Sequence, residues 1–63
     1  MKPPTIRQRV LVALAESPRP LRATVVAQRT GIGIRLVREA LTQLYTAGEA
    51  DKAPSCGWLA VRR

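Results

Sequence analysis

The spacing of apolar residues between Gly33 and Thr46 constrains the fold of this chain more than any other feature. A helix advances about 100° per residue, and on that wheel four apolar side chains fall within about 60° of one direction: Val37, Ala40, Leu41 and Leu44. The opposite side of the wheel carries polar and charged side chains: Arg35, Arg38, Glu39, Thr42, Gln43 and Thr46. The pattern predicts an amphipathic helix over about residues 33–46, with one buried face and one face that can reach a partner.

The outer face of this predicted helix has the chemistry of a nucleic-acid contact. The guanidinium groups of Arg35 and Arg38 suit phosphate oxygens and the acceptor pair of guanine. The hydroxyl and amide side chains of Thr42 and Gln43 can hydrogen-bond to base edges. The simpler interpretation of any basic helix is a face that contacts only solvent. The flanking sequence therefore has to distinguish a solvated face from a nucleic-acid contact.

A first helix is predicted near the start of the sequence, over about residues 5–15. Thr5 followed three residues later by Gln8 matches a capping box. The apolar face of this helix consists of Ile6, Val10 and Leu14. Val12 falls on the far side, where it is either an isolated exposed valine or a contact in a dimer.

Proline and glycine residues divide the next stretch into short units. Pro18 and Pro20 end the first helix and form a stiff connector, after which Leu21 has room for a short extended pairing. A second helix is predicted over about residues 22–29, with its valines toward the interior. Residues 30–33, Thr-Gly-Ile-Gly, form a turn whose first glycine can adopt the left-handed conformation. Two helices joined by about four residues are typical of a helix-turn-helix.

A small β-hairpin is predicted after the third helix, which Gly48 closes. Residues 49–53 and 58–62 are the expected strands, and residues 54–57 are the turn between them. The first strand consists of poor strand formers, so the pairing depends on the second. Trp58 is interpreted as the apolar anchor at the base of the hairpin, and stacking on nucleic acid is the alternative.

Size and charge limit the functions open to the chain. With 63 residues it is predicted to be a single domain, 1–63, with a thin aliphatic core and little room for a catalytic cleft. Eleven Lys and Arg residues against four Asp and Glu give a net charge of +7, which favours a partner that carries phosphates. Arg62 and Arg63 are either a solvated tail or a further phosphate contact.

The sequence is poor in the residue types that build metal and catalytic sites. Cys56 is the only cysteine, so we expect an intracellular, cytoplasmic protein with no internal disulfide and no cysteine-based metal site. There is no His, the commonest general base, and no apolar run approaches the about 18 to 20 residues of a membrane span. The exposed thiol of Cys56 is interpreted as incidental. We therefore expect neither an enzyme nor a metal, cofactor, small-molecule ligand or membrane partner.

Residues 25–61 resemble the winged helix-turn-helix domain of small bacterial and phage transcription regulators. An apolar-Ala pair at positions 26–27 precedes a Thr-Gly-Ile turn, and apolar residues at helical spacing and Gly48 follow it. The return strand of the hairpin opens with Gly57 and Trp58. The resemblance implies a mainly α fold with a small β-hairpin, in which a three-helix bundle carries a two- to three-stranded antiparallel wing.

The resemblance also implies roles for particular side chains. In that family the recognition helix lies in the major groove, the second helix braces the DNA backbone, and the wing reaches phosphates or the minor groove. The implied DNA contacts in this chain are Arg35 and Arg38 first, then Thr42 and Gln43, then Lys52 and Ser55 on the wing and Arg22 and Arg29 on the backbone. Three departures stand: the wing is short with a single Lys, Gly33 replaces the Ser or Thr common at the helix cap, and no sensor or dimerisation domain follows Arg63.

Two functional hypotheses follow from these patterns. The first is sequence-specific binding of double-stranded DNA by a small transcription regulator, expected to be a repressor from a phage, prophage or other mobile element. A homodimer on a pseudo-palindromic site belongs to this hypothesis, because a monomer this small makes few contacts. The second is a winged-helix protein-interaction module, an inhibitor or assembly factor, that does not use DNA. Acidic residues near the proposed surface favour the second hypothesis, because they repel phosphates: Glu39, Glu49 and Asp51.

Overall fold

Three helices and one antiparallel hairpin form the protein in the computed structural model, which describes residues 5–54 and 56–61. The helices are α1 (Ile6–Glu16), α2 (Ala23–Thr30) and α3 (Ile34–Thr46), and the strands are β1 (Ala50–Lys52) and β2 (Trp58–Ala60). Each predicted helix boundary lies within one residue of the observed one. The fold is mainly helical with a small hairpin, as the sequence predicted.

The capping box expected at the start of α1 is present. Thr5 Oγ1 accepts a hydrogen bond from the backbone N–H of Gln8 at 3.2 Å, and Gln8 Oε1 accepts one from the N–H of Thr5 at 3.0 Å. Val10 and Leu14 are buried, but Ile6, which was expected on the same face, is 39% exposed. Ile6 is the first helical residue, so it lies in the end turn of α1, where fewer neighbours cover it.

The turn between α2 and α3 has the expected conformation. Gly31 has a φ of +72° and its N–H donates to the carbonyl of Ala27 at 2.9 Å, which is how a left-handed residue ends a helix. Ile32 is only 9% exposed and packs into the core between the two helices. Gly33 is the N-cap of α3 and provides no side-chain cap.

The core is aliphatic, and four of the five elements contribute to it. Its buried members are Val10, Leu14, Leu21, Val26, Ile32, Val37, Ala40, Leu41, Leu44 and Ala50. The four from α3 are those that its apolar spacing predicted. Within the described residues no polar or charged side chain is buried, so hydrophobic packing alone stabilises this interior.

The hairpin strands are shorter than predicted, but hydrogen bonds extend their pairing. The register pairs Ala50 with Ala60, Asp51 with Leu59, and Lys52 with Trp58. The N–H of Val61 donates to Glu49 O at 3.0 Å at one end, and that of Ala53 donates to Gly57 O at 2.8 Å at the other. The poor strand propensity of β1 fits its three-residue length. Position 62, the predicted end of the second strand, lies outside the described residues.

Two further backbone features complete the hairpin. The chain reverses where expected, with the N–H of Cys56 donating to Ala53 O at 3.1 Å and Cys56 itself at a φ of +66°. The extended pairing expected at Leu21 is present: its N–H donates to Trp58 O at 2.8 Å and its carbonyl accepts from Trp58 N at 2.7 Å. The connector after α1 is therefore attached to the return strand of the hairpin.

Gly57 is expected to tolerate no side chain, because a Cβ there would lie 2.6 Å from Pro20 Cβ and 3.1 Å from the Pro20 carbonyl carbon. The proline ring cannot rotate aside, so Gly57→Ala would push the hairpin away from Leu21. We expect a cost of roughly 1–3 kcal/mol, seen as a fall in Tm of about 4–8 °C per kcal/mol by circular dichroism. Gly33→Ala is the control for an added Cβ, since nothing lies within 4 Å of it. Because Gly33 is the N-cap of α3, this control should itself cost up to about 1 kcal/mol, less than Gly57→Ala. Equal melting temperatures for Gly57→Ala and wild type would contradict this contact.

Candidate nucleic-acid interface

The outer face of α3 is exposed as its polar pattern predicted. The side chains that this face presents to solvent are Arg35, Arg38, Glu39, Thr42, Gln43 and Thr46. They are held in place from behind, because the opposite face of the same helix is locked into the core by Val37 and Leu41, both 0% exposed. A rigid helix therefore presents this set of side chains, which makes their relative positions reproducible.

A groove runs between the N-terminal end of α2, the middle of α3 and the hairpin. We call it the cationic groove; it has a volume of about 700 Å³ and is lined by Arg22, Ala23, Thr24, Arg38, Thr42, Lys52, Ala53, Cys56 and Trp58. Among these lining residues there are three cations and no acidic side chain. The groove thus brings together four of the predicted DNA contacts, which come from three separate elements: Arg22, Arg38, Thr42 and Lys52.

The N-terminal end of α2 opens onto the cationic groove. Arg22 is the N-cap of this helix and forms no side-chain capping bond, and Ala23 and Thr24 of the first turn line the groove. The first N–H groups of a helix have no partners within the helix, and the helix dipole makes this end positive. Backbone donors and the Arg22 guanidinium are therefore available together to a phosphate.

Trp58 forms part of the groove wall, and the hairpin fixes its position. Its backbone pairs with Leu21 on one side and with Lys52 on the other. The rings of Trp58 and Tyr45 pack in a T-shaped arrangement, with their centroids 6.1 Å apart and their planes at 85°. Lys52 Nζ lies 5.1 Å from the ring centroid of Trp58, over its face. Trp58 is half-buried and lines the groove, so it contacts both the core and the groove.

Two threonines of α3 can accept hydrogen bonds from a ligand more readily than they can donate them. Thr42 Oγ1 donates to the carbonyl of Arg38 at 3.0 Å, and Thr46 Oγ1 donates to that of Thr42 at 2.9 Å. Each hydroxyl has one proton, so these back-bonds leave only the oxygen lone pairs and the methyl group for a partner. Sequence reasoning treated Thr42 simply as a hydrogen-bonding residue and could not anticipate this restriction.

Two of the remaining predicted contacts lie away from the cationic groove. Arg29 lines a separate groove between α1 and the C-terminal end of α2, together with Gln8 and Val12. Gln43 lines a shallow hollow on the other side of α3, next to Leu36. The structure therefore does not place Arg29 beside Arg22 in one backbone clamp.

Of the other predicted contacts, one lies on the exposed face of α3 and the rest lie outside the described residues. Arg35 is exposed on α3 and lies about 60° around the helix from Arg38. Ser55, Arg62 and Arg63 lie outside the described residues. Sequence reasoning did not anticipate that Ala23 and Thr24 would line the groove. The one available signal of open backbone donors there was Arg22, a residue type that rarely caps a helix.

The acidic residues near this surface stay out of the cationic groove. Glu39 lines the hollow beside Leu36, and Glu49 lines a different depression, with Val61. Asp51 Oδ1 accepts a hydrogen bond from the N–H of Lys52 at 2.8 Å. None of these three carboxylates is among the residues that line the groove, so every charged side chain in its lining is positive.

Other classes of site have little support in this part of the chain. Within residues 5–54 and 56–61, no group of three or more His, Cys, Asp or Glu side chains could hold a metal ion. In the same residues, no helix has both the length and the apolar character needed to cross a bilayer. Comparisons with known protein families, curated proteins and solved structures found no match for this chain.

Proposed function

We propose that this chain is a winged helix-turn-helix protein that binds double-stranded DNA and regulates transcription. The observation that carries the proposal is the cationic groove beside the exposed face of α3. Its three cations, Arg22, Arg38 and Lys52, come from the second helix, the third helix and the hairpin. Helix α3 acts as the recognition helix and the hairpin as the wing.

The dimensions of α3 suit the major groove of DNA. A helix with its side chains is about 10–12 Å across, and the major groove is about 12 Å wide. The 13 residues of α3 span about 20 Å, enough to lie along several base pairs. Arg35 and Arg38 point outward from this helix and reach guanine edges or phosphates. Thr42, whose hydroxyl proton is engaged, accepts from the amino group of cytosine or adenine or contacts a thymine methyl.

Phosphate contacts beside the helix fix its orientation. Arg22, the first N–H groups of α2 and Lys52 on the wing lie around the same groove, where they bind neighbouring phosphates of the DNA backbone. A protein that covers a major groove in this way blocks other proteins from the same DNA, which supports a repressor. Two copies on a pseudo-palindromic site would double the contacts of this small domain. Such a regulator acts in the bacterial cytoplasm, at the nucleoid.

Salt dependence of duplex binding tests this proposal. Each neutralised phosphate contributes a slope of about −0.9 to log affinity against log salt. Contacts from Arg22, Arg35, Arg38 and Lys52 give about −3.6 in total, so affinity falls roughly 100-fold between 50 mM and 200 mM salt. Fluorescence anisotropy of a labelled mixed-sequence duplex measures this. The absence of binding at the lower salt concentration would overturn the proposal.

A protein-interaction module is the second candidate, and one observation favours it. Ile6 and Leu36, 39% and 48% exposed, line a shallow hollow outside the cationic groove. Arg7 and Glu39 flank them, which gives an apolar centre with charges of both signs, as many protein interfaces have. A pull-down from nuclease-treated lysate tests this function. A stoichiometric partner that is lost with Leu36→Asp but retained with Arg35→Ala/Arg38→Ala would favour protein interaction over DNA binding.

A further inference from the structure

The duplex contacts proposed above do not use the aromatic ring in the cationic groove. In a paired helix every base is already stacked on its neighbours, so a protein reaches only base edges, sugars and phosphates. Trp58 is half-buried and lines a groove with three cations, and the side chain over its ring is the exposed Lys52. An aromatic ring next to phosphate-binding groups is the arrangement with which proteins hold unpaired bases.

We propose that the cationic groove holds one unpaired nucleobase stacked on Trp58, so that the preferred ligand is a DNA duplex with an adjoining single-stranded segment. This inference rests on the proposed function, because α3 is taken to bind the duplex part. Arg38 stays with the duplex, Arg22 binds a phosphate next to the unpaired base, and the Lys52 ammonium moves from the ring to a second phosphate.

The ring is preorganised for this role. The backbone of Trp58 exchanges two hydrogen bonds with Leu21, at 2.8 and 2.7 Å, and pairs with Lys52 in the hairpin. The Tyr45 ring also packs against it in a T-shaped arrangement. Because the ring is already held in place, stacking a base on it does not incur the entropy cost of ordering the tryptophan side chain.

The Lys52 ammonium lies over the ring at the position proposed for the base. Lys52 is exposed, and its ammonium lies 5.1 Å from the ring centroid. Its four-carbon stem lets the ammonium move to a phosphate without a change in the backbone. The groove volume of about 700 Å³ lies in the range of about 300–1,000 Å³ typical of small-molecule sites, so a base with its sugar and phosphate fits.

Four matched DNA ligands test the inference directly. The first is a blunt hairpin duplex. The second and third are the same duplex with a short oligothymidine overhang at the 5′ end or at the 3′ end. The fourth carries an abasic overhang of equal length at whichever end gives the tighter thymidine binding. The abasic overhang keeps the added phosphates and removes only the bases. Trp58 is the sole tryptophan of the chain, so its fluorescence reports the occupancy of the groove without labelling.

We expect one of the two thymidine overhangs to bind at least about fivefold more tightly than the blunt and abasic duplexes, and to quench Trp58 more strongly. Trp58→Leu should lose this preference and Trp58→Phe should retain part of it. The wild-type comparison of thymidine with abasic overhangs decides the matter even if Trp58→Leu does not fold. Equal affinity for these two ligands overturns the inference.

The result also separates this inference from the proposed function. Equal, salt-sensitive binding to all four ligands overturns the stacking role and leaves duplex binding standing. Quenching by free oligothymidine without any duplex binding overturns the proposed function and, with it, the preference for a junction. Absence of binding to every ligand overturns both.

Discussion

Replacing Arg35 and Arg38 together with alanine is expected to weaken duplex binding at least about 30-fold. Loss of a side chain that contacts a base edge costs about 1–3 kcal/mol, so the two together cost no less than about 2 kcal/mol. Both side chains are exposed, so the fold should be unaffected. The salt slope should become shallower by up to about 1.8 if both arginines contact phosphates. Fluorescence anisotropy measures both quantities.

Arg9→Ala/Arg19→Ala is the charge-matched control for this experiment. Both double variants remove two positive charges, but Arg9 lies on α1 beside Val12 and Arg19 on the connector, and neither lines the cationic groove. The control should lose less than about threefold in affinity, because exposed charges far from the DNA act only through a screened field. Equal losses in the two variants would show that net charge, and not the α3 face, determines binding.

Leu41→Ala is expected to have the largest effect on stability. Leu41 is 0% exposed at the centre of the core, and such truncations cost about 2–5 kcal/mol. A chain of 63 residues has a total stability of roughly 3–9 kcal/mol, so this variant should be partly unfolded or melt more than about 10 °C below wild type. Chemical denaturation followed by circular dichroism measures the loss.

Leu36→Ala removes the same atoms from the same helix and serves as its control. Leu36 is 48% exposed, so its truncation should cost less than about 1 kcal/mol. If both variants lost the same stability, the assignment of the two faces of α3 would be wrong. The pair therefore tests the packing that positions Arg35 and Arg38, separately from any binding measurement.

The sequence predicted the features that depend on local or periodic signals. The apolar spacing of α3 identified all four of its buried residues, because a helix of this length has only one face that can reach the core. The capping box at Thr5 and the left-handed Gly31 were predictable for a similar reason, since each depends on residues within one turn. The sequence predicted that Leu21 is extended and can pair, but it did not predict that its partner is Trp58.

The cationic groove could not be predicted, because tertiary packing creates it. Arg22 and Lys52 lie far apart in the sequence and meet only because the bridge between Leu21 and Trp58 holds the hairpin beside the start of α2. The same packing leaves Arg29 on another surface. Side-chain detail was also out of reach: the back-bond of Thr42 and the position of Lys52 over the tryptophan ring depend on distances that residue types do not determine.

One measurement tests most directly whether α3 and the cationic groove form the DNA-binding surface. It records the changes in amide chemical shifts by heteronuclear NMR when a mixed-sequence hairpin duplex is added at low salt. We predict the largest shifts at Arg35, Arg38 and Thr42 on α3 and at Thr24 in the first turn of α2. Val12, on the far side of α1 and 53% exposed, should not move. The largest shifts around Val12 and its neighbours, or no shifts at all, would contradict the account.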